Sequence, residues 1–270
     1  MQQLNMYENY LKKCELSEQT CEVYLREAEH FLKYLNGRNV TKELALSYKK
    51  ELVSQSFAPS TINLYVTAVN KYIKYIGCED ACIKTIRTHK KRSVENVINK
   101  SEYKELLAYA RTSGREKYYY IMKTLALTGI RVSELRFITV ETLKQGSALV
   151  YNKGKIREIY LPDKLIGELR QYCGKNDETE GTIFRGKDGA PINRTTVYKM
   201  MAYMGDMVGI EKEKVHPHSF RHFFAISYME RYGNLAELAD ILGHTNIETT
   251  RIYTASTVEE KRRRLNNLGL

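Results

Sequence analysis

Ser147-Ala-Leu-Val-Tyr-Asn-Lys-Gly-Lys-Ile-Arg-Glu-Ile-Tyr-Leu161 is the stretch that decides the fold class. Here the hydrophobic period drops to two, the spacing of a half-buried strand. Ser147–Tyr151 and Ile156–Leu161 read as two strands joined by Asn152-Lys153-Gly154-Lys155. Gly154 tolerates a positive φ, so the join is a tight hairpin, and Pro162 ends the second strand. A small antiparallel sheet in otherwise helical text makes the chain mainly α, of the α+β type.

Moving outward, the text returns to helical spacing. On the C-terminal side, residues 164–268 are mostly helical, broken by the Gly-containing loop at 181–189, by Gly233 and by Gly243. Upstream lie a helix over 102–111, a Tyr- and Leu-rich helix over 118–127, a break at Thr128-Gly129, and a further helix starting near Ile130. Nearer the N-terminus, Cys21, Tyr24, Ala28, Phe31 and Leu35 form one helix face, with Ser17 as its cap. A second stripe runs Ile62, Val66, Val69, Ile73, Ile76, capped by Ser60 and closed by Gly77. The division that follows is a helical domain over 1–82, a linker over 83–95 and a second domain over 96–270.

Composition narrows the class. Lys plus Arg exceed Asp plus Glu by 11 in the 270 residues, a surplus that suits a polyanionic partner. It is uneven. Residues 1–82 are neutral overall, whereas 83–92 hold Lys84, Arg87, Lys90, Lys91 and Arg92 without one acid. A basic segment without hydrophobic period is a linker suited to lie along phosphates; a merely solvated linker has the same composition. Beside the second stripe, Asn63, Thr67, Asn70, Lys71 and Lys74 form a polar arc, and no acid occurs from Leu52 to Cys78. That arc is a candidate DNA-facing surface, with an ordinary solvated face as its alternative. The five cysteines are odd in number and dispersed, which argues against a zinc site or disulfide scaffold and fits a reducing cytoplasm. No apolar run is long enough to span a membrane, and the N-terminus lacks the order of a secretory signal.

Four segments concentrate reactive groups. Thr128-Gly129-Ile130-Arg131-Val132-Ser133-Glu134 puts Arg131 next to a glycine at a helix start, where backbone donors favour an anion. Glu134, three residues on, can orient the guanidinium, though a surface Arg–Glu pair is common. The hairpin tip carries Lys153 and Lys155, and basic tips are often merely solvated. His216-Pro217-His218-Ser219-Phe220-Arg221-His222 holds three of the chain's six histidines, with His218 and Arg221 on one helix face. Last, Leu242-Gly243-His244-Thr245-Asn246-Ile247-Glu248 sets His244 on a joint after a helix over 234–242, with Thr245 and Glu248 spaced as a capping box. Tyr253 follows nine residues after His244. No carboxylate or cysteine joins the histidines at ligand spacing, so no metal is implied.

In order and spacing, these segments resemble the tyrosine recombinase (lambda-integrase) family, which includes Xer-type, phage and transposon integrases. The strings TGIRVSEL, NKGK, PHSFRH, LGH and TTRIYT carry the resemblance over roughly 96–255. Residues 1–82 resemble, more loosely, the family's helical SAM-like core-binding domain, and the second domain its mixed α/β catalytic domain. The family pattern falls on Arg131, Lys153, His218, Arg221, His244 and Tyr253, with Glu134 supporting. The resemblance implies a site-specific recombinase for integration or excision, working through a 3′-phosphotyrosine intermediate without metal or other cofactor. Arg131 and Arg221 would stabilise the charge that develops on the phosphate, Tyr253 attack, His218 accept its proton, His244 donate to a non-bridging oxygen and Lys153 protonate the leaving 5′-hydroxyl. Implied partners are double-stranded DNA with inverted-repeat core sites and further copies of the chain in a tetramer that exchanges C-terminal segments. Residues 258–268, with Lys261, Arg262, Arg263 and Arg264, read as the helix for that exchange. An accessory directionality factor fits the pattern, whereas dependence on arm sites is not expected, since no separate arm-binding domain precedes residue 1. The competing readings are a type IB topoisomerase or telomere resolvase with the same chemistry, and a DNA-binding regulator without catalysis.

Overall fold

The structure is a computed structural model, and it describes residues 2–87, 96–152, 155–176, 179–244, 246–254 and 266–267. The chain divides into two compact units, 1–90 and 91–270.

The first unit is a four-helix assembly: α1 (Gln2–Lys13), α2 (Glu18–Leu35), α3 (Lys42–Ser54) and α4 (Pro59–Tyr75). Ser17 caps α2 by accepting from the Thr20 N–H, and Cys21, Ala28, Phe31 and Leu35 are buried, as the periodicity predicts. The second stripe also lies inside, with Ile62, Val66, Val69 and Ile73 buried on α4. Its cap differs from expectation. Ala58 is the N-cap and Pro59 the first helical residue, so Ser60 lies within the first turn. Proline tolerates that position because its missing N–H would have no helical partner there. Tyr7 of α1 meets Tyr72 of α4 edge to face at 5.0 Å, which closes the bundle.

The segment after α4 departs from the linker expected from residue 83. Ile83 is buried in the first unit's core, and Ile86 packs against it. Two asparagines of α4 hold this segment in place. The Asn70 amide donates to Ile83 O at 2.7 Å and accepts from Ile83 N at 2.9 Å. Asn63 does the same with Ile86, at 2.9 and 2.7 Å. The segment gains an edge partner without a sheet, and its basic side chains mask the two isoleucines in the sequence.

The second unit is built around α6 (Glu116–Thr128), which packs against α5 (Lys100–Thr112) and a later helix, α10 (Pro217–Tyr232). Asn99 and Glu102 form a reciprocal capping box at the start of α5. After α6 the expected α-helix near Ile130 is a 3-10 helix over Val132–Phe137, and Arg131 is extended. Then come α7 (Val140–Gln145) and the hairpin, β1 (Ser147–Asn152) paired antiparallel with β2 (Lys155–Tyr160). Ala148, Val150 and Ile159 face the core, while Leu149, Tyr151, Ile156 and Tyr160 face outward. Beyond them run α8 (Asp163–Lys175), α9 (Arg194–Met207), α10, α11 (Leu235–Leu242) and 3-10 turns over Ile247–Thr249 and Arg251–Thr254. The Ile98 N–H donates to the buried Ser219 hydroxyl at 3.0 Å, tying the unit's first residues to α10. Among the described residues, no helix is long and apolar enough to cross a membrane.

Candidate active site

The site gathers where the C-terminal end of α6, the first turns of α10 and the end of α11 meet. Arg221 lies at its base. It is 4% exposed, and its guanidinium donates to Gly129 O and to Leu242 O, each at 2.7 Å. Both carbonyls belong to helix ends, where acceptors lack helical partners. Gly129 is the left-handed cap of α6 at φ +63°, and a Cβ there would collide with the Phe224 ring. Burial lowers the Arg221 pKa to about 9, with the positive charge of Arg131 acting in the same direction.

Arg131 and Glu134 form the next layer. The Glu134 carboxylate is 1% exposed. It accepts from the Arg131 backbone N–H at 2.7 Å, from the Arg131 guanidinium at 3.1 Å and from the Arg157 guanidinium at 2.6 Å. Burial alone would raise its pKa, but these donors prevail and hold it below the ordinary carboxylate value. Arg157 reaches back from β2 and also donates to Ile241 O on α11. The charges of Arg131 and Arg157 both act on Arg221, and Glu134 is the carboxylate among them. Three guanidiniums around one buried acid leave a positive cup suited to an anion.

His244 closes one side. Gly243 ends α11 at φ +65°, and any side chain there would collide with Arg157. The next residue is thereby turned towards Arg221, whose Nη2 lies 3.0 Å from His244 Nε2. His244 Nδ1 lies 2.8 Å from the hydroxyl of fully buried Thr250. Burial, then the charges of Arg221, Arg131 and Arg157, lower the His244 pKa to about 4. The Glu248 N–H is capped by Asn246 at 2.8 Å; Thr245, expected as that cap, lies outside the described residues.

Tyr253 lies on the last 3-10 turn and packs against the small cluster of Ala225, Leu238 and Leu242. Its phenolic oxygen is 2.6 Å from His222 Nδ1. Burial raises its pKa, and the Arg221 charge pulls the other way. His218, exposed on the first turn of α10, has its pKa lowered by desolvation and then by Arg221, His216 and Arg131. His216 caps α10, its ring accepting from the Ser219 N–H at 3.2 Å.

Arg131, Glu134, His218, Arg221, His244 and Tyr253 thus fall in one neighbourhood. Lys153 lies outside the described residues, as do Lys90, Lys91, Arg92 and 258–265. On α4 the polar arc separates into two groups. Asn63 and Asn70 are engaged with the backbone of Ile86 and Ile83, each using its amide oxygen and one amide hydrogen there. Thr67 is exposed but its hydroxyl donates to Asn63 O at 2.7 Å, Lys74 is exposed, and Lys71 lies over the Tyr10 ring at 5.1 Å. Sequence reasoning did not single out Arg157 or Thr250, whose partners are remote or lie on the far side of the histidine. It noted His222 only as part of a histidine cluster.

Comparison with known proteins accords with this geometry. The sequence model of the phage integrase family matches residues 96–260, and that of the phage integrase N-terminal SAM-like domain matches 4–79. Tyrosine recombinase XerA of Thermococcus kodakarensis is 27% identical over 266 residues, covering 95% of this chain and 92% of the relative. Tyrosine recombinase XerD of Oceanobacillus iheyensis is 26% identical, covering 90% and 89%. Among solved structures, the Tn1549 transposon integrase in complex with transposon right end DNA superimposes with a TM-score of 0.76 at 16% identity, over 99% of each chain. A lambda integrase dimer bound to a core site gives 0.73 at 17%, over 92% and 96%. The chain belongs to the phage integrase family of tyrosine recombinases.

Proposed function

We propose that this enzyme breaks and rejoins double-stranded DNA at specific sites, with Tyr253 as nucleophile and the cup of Arg131 and Arg221 as the seat of the scissile phosphate. One observation carries the reading: Arg221, buried and held by two helix-end carbonyls, lies close enough to Tyr253 for its charge to act on the phenol. A phosphodiester gains negative charge on its oxygens as the phenol attacks. Guanidiniums already fixed in place stabilise that charge more than they stabilise the ground state. Two helix-end carbonyls hold the Arg221 guanidinium in place before the substrate arrives, and that is preorganisation.

The proposed step joins the Tyr253 oxygen to phosphorus and releases the 5′-hydroxyl, leaving a 3′-phosphotyrosine. That link keeps the phosphoester bond available for a second strand. His244 is proposed to donate from Nε2 to a non-bridging oxygen once the phosphate replaces its contact with Arg221 and the ring's hydrogen shifts from Nδ1 to Nε2, with Nδ1 then accepting from the Thr250 hydroxyl. Lys153 is proposed to protonate the leaving oxygen. On α4, Lys74 is the proposed phosphate contact, joined by the basic residues Lys90, Lys91 and Arg92 beyond Ile86. A tetramer exchanging residues 258–268 between protomers, and an accessory directionality factor, complete the proposed assembly. XerH bound to difH substrate and the Tn1549 integrase with transposon end DNA share the fold, which supports a DNA partner.

The test is covalent trapping. Denaturing the enzyme on DNA of its source organism and sequencing the attached ends should recover a narrow set of junctions. Relaxation of any supercoiled plasmid without preference would favour the topoisomerase reading, and binding without adducts the regulator reading.

A further inference from the structure

Tyr253 is held by a histidine that the His-x-x-Arg pattern does not include. His222 follows Arg221 directly and lies one helical turn beyond His218 on α10. Its Nδ1 is 2.6 Å from the Tyr253 oxygen, and the two rings pack with centroids 5.7 Å apart. That separation is shorter than the usual hydrogen bond to nitrogen of about 2.9 Å. Burial raises the phenol's pKa, so it keeps its proton and is the donor; Nδ1 accepts, which leaves the ring's hydrogen on Nε2.

The surroundings keep His222 neutral before DNA arrives. Burial, then His218, His216 and Arg221, lower its pKa to about 4. From the C-terminal segment, Tyr253 meets it directly and His244 interacts with it electrostatically. A bound phosphate offsets the guanidinium charges that oppose an imidazolium here. Proton transfer from the phenol is thus disfavoured without substrate and becomes accessible with it.

We propose that His222 is a further catalytic residue, the one that takes the phenolic proton of Tyr253 as its oxygen attacks phosphorus. The proposal rests on the reading of Tyr253 as nucleophile. In the forward step, the Tyr253 O–H proton moves to His222 Nδ1 while the oxygen bonds to phosphorus. The P–O5′ bond breaks with its electron pair going to O5′, which takes a proton from the leaving-group donor. In rejoining, the 5′-hydroxyl returns its proton to the leaving-group donor as its oxygen attacks, the phosphotyrosine bond breaks, and the proton on His222 returns to the Tyr253 oxygen.

The experiment measures single-turnover cleavage by full-length protein on a suicide duplex built from the junction that wild-type adducts reveal. His222→Ala should form adducts about 10²–10⁴-fold more slowly, the range for a lost proton acceptor, at unchanged DNA affinity. His222→Asn keeps an acceptor near the Nδ1 position but cannot carry the proton, so it should stay slow and lose the wild-type rise of rate with pH. A duplex with sulfur in place of the bridging 5′ oxygen needs no leaving-group proton. It should rescue Lys153→Ala and leave both His222 variants slow. Wild-type rates in His222→Asn, or sulfur rescue of His222→Ala, overturn the proposal while Tyr253 remains the nucleophile. An adduct on another residue overturns the reading of Tyr253 itself.

Discussion

Arg221 Nη2 lies 3.0 Å from His244 Nε2, and this contact fixes the state of the histidine. A guanidinium has only donors, so Nε2 must be bare and the ring proton must sit on Nδ1, where the Thr250 hydroxyl accepts it at 2.8 Å. In this state His244 has no hydrogen to offer from Nε2. A phosphate that accepts from Nη2 frees Nε2; the ring can then carry its hydrogen on Nε2, with Nδ1 accepting from the Thr250 hydroxyl, so substrate binding and the readiness of His244 are linked.

Thr250 is therefore predicted to matter although it lies on the far side of the histidine. Thr250→Val keeps the shape and removes the acceptor from a fully buried position. Stability should fall by about 1–3 kcal/mol. Single-turnover cleavage should slow by about tenfold or more, the effect of roughly 1.4 kcal/mol at the transition state. Thr250→Ser should restore both. Chemical denaturation and cleavage assays check this, and a Val variant cleaving at the wild-type rate would remove Thr250 from the account.

Glu134 binds the cup together, so Glu134→Gln should weaken the fold as well as the chemistry. Removing one partner from a buried ionic network costs about 3–5 kcal/mol. Its pKa lies below the ordinary 4.5 in the folded state. The stability it contributes is thus full above that value and lost as pH falls through the folded one. Denaturant midpoints followed below pH 4.5 should drop in the wild type and stay flatter in Glu134→Gln.

The histidines set a second acid window. His222 and His244 both fall from 6.5 to about 4 in the folded protein. A neutral, buried histidine favours folding, so this contribution is full above pH 6.5 and lost as pH falls to about 4. Thermal unfolding between those values should show the loss, and a His222→Asn/His244→Asn double variant should lack most of it. An equal slope in the double variant would contradict the assignment.

Gly243→Ala should be damaging at a position that makes no polar contact through a side chain. The backbone is left-handed there at φ +65°, and the new methyl would strike Arg157. Strain of this kind costs about 1–3 kcal/mol. The displaced Arg157 would also loosen Glu134, so cleavage should fall more than stability alone explains. Parallel melting and adduct assays test it.

How much of this was legible in the sequence depends on the range of the signal. The hairpin shows in the text because a period of two is local, and the α2 and α4 stripes show for the same reason. The 3-10 helix at 132–137 does not, since its apolar spacing suits an α-helix equally well. Asn63 and Asn70 looked like surface amides because their partners are backbone groups of residues up to 23 positions away. Arg157 was equally hidden, its carboxylate lying 23 positions back. The motif order brought Arg131, His218, Arg221, His244 and Tyr253 to attention, but not which histidine meets the phenol, since His218 and His222 share a helix face.

On α4 the division of the arc yields its own test. Asn70→Ala should cost about 1–3 kcal/mol of stability through the unpaired Ile83 backbone, with little change in DNA affinity. Lys74→Ala should leave stability alone and reduce the salt dependence of binding by about one phosphate. Unchanged affinity and salt slope in a Lys71→Ala/Lys74→Ala protein would remove this helix face from the DNA interface.

The most direct measurement is the identity of the residue that becomes joined to DNA. Wild-type enzyme denatured on its recovered junction duplex, then digested and analysed by mass spectrometry, should show the 3′-phosphate on Tyr253. Tyr253→Phe should bind the same duplex and form no adduct. A DNA-linked peptide lacking residue 253, or adducts from the Phe variant at the wild-type level, would contradict the account.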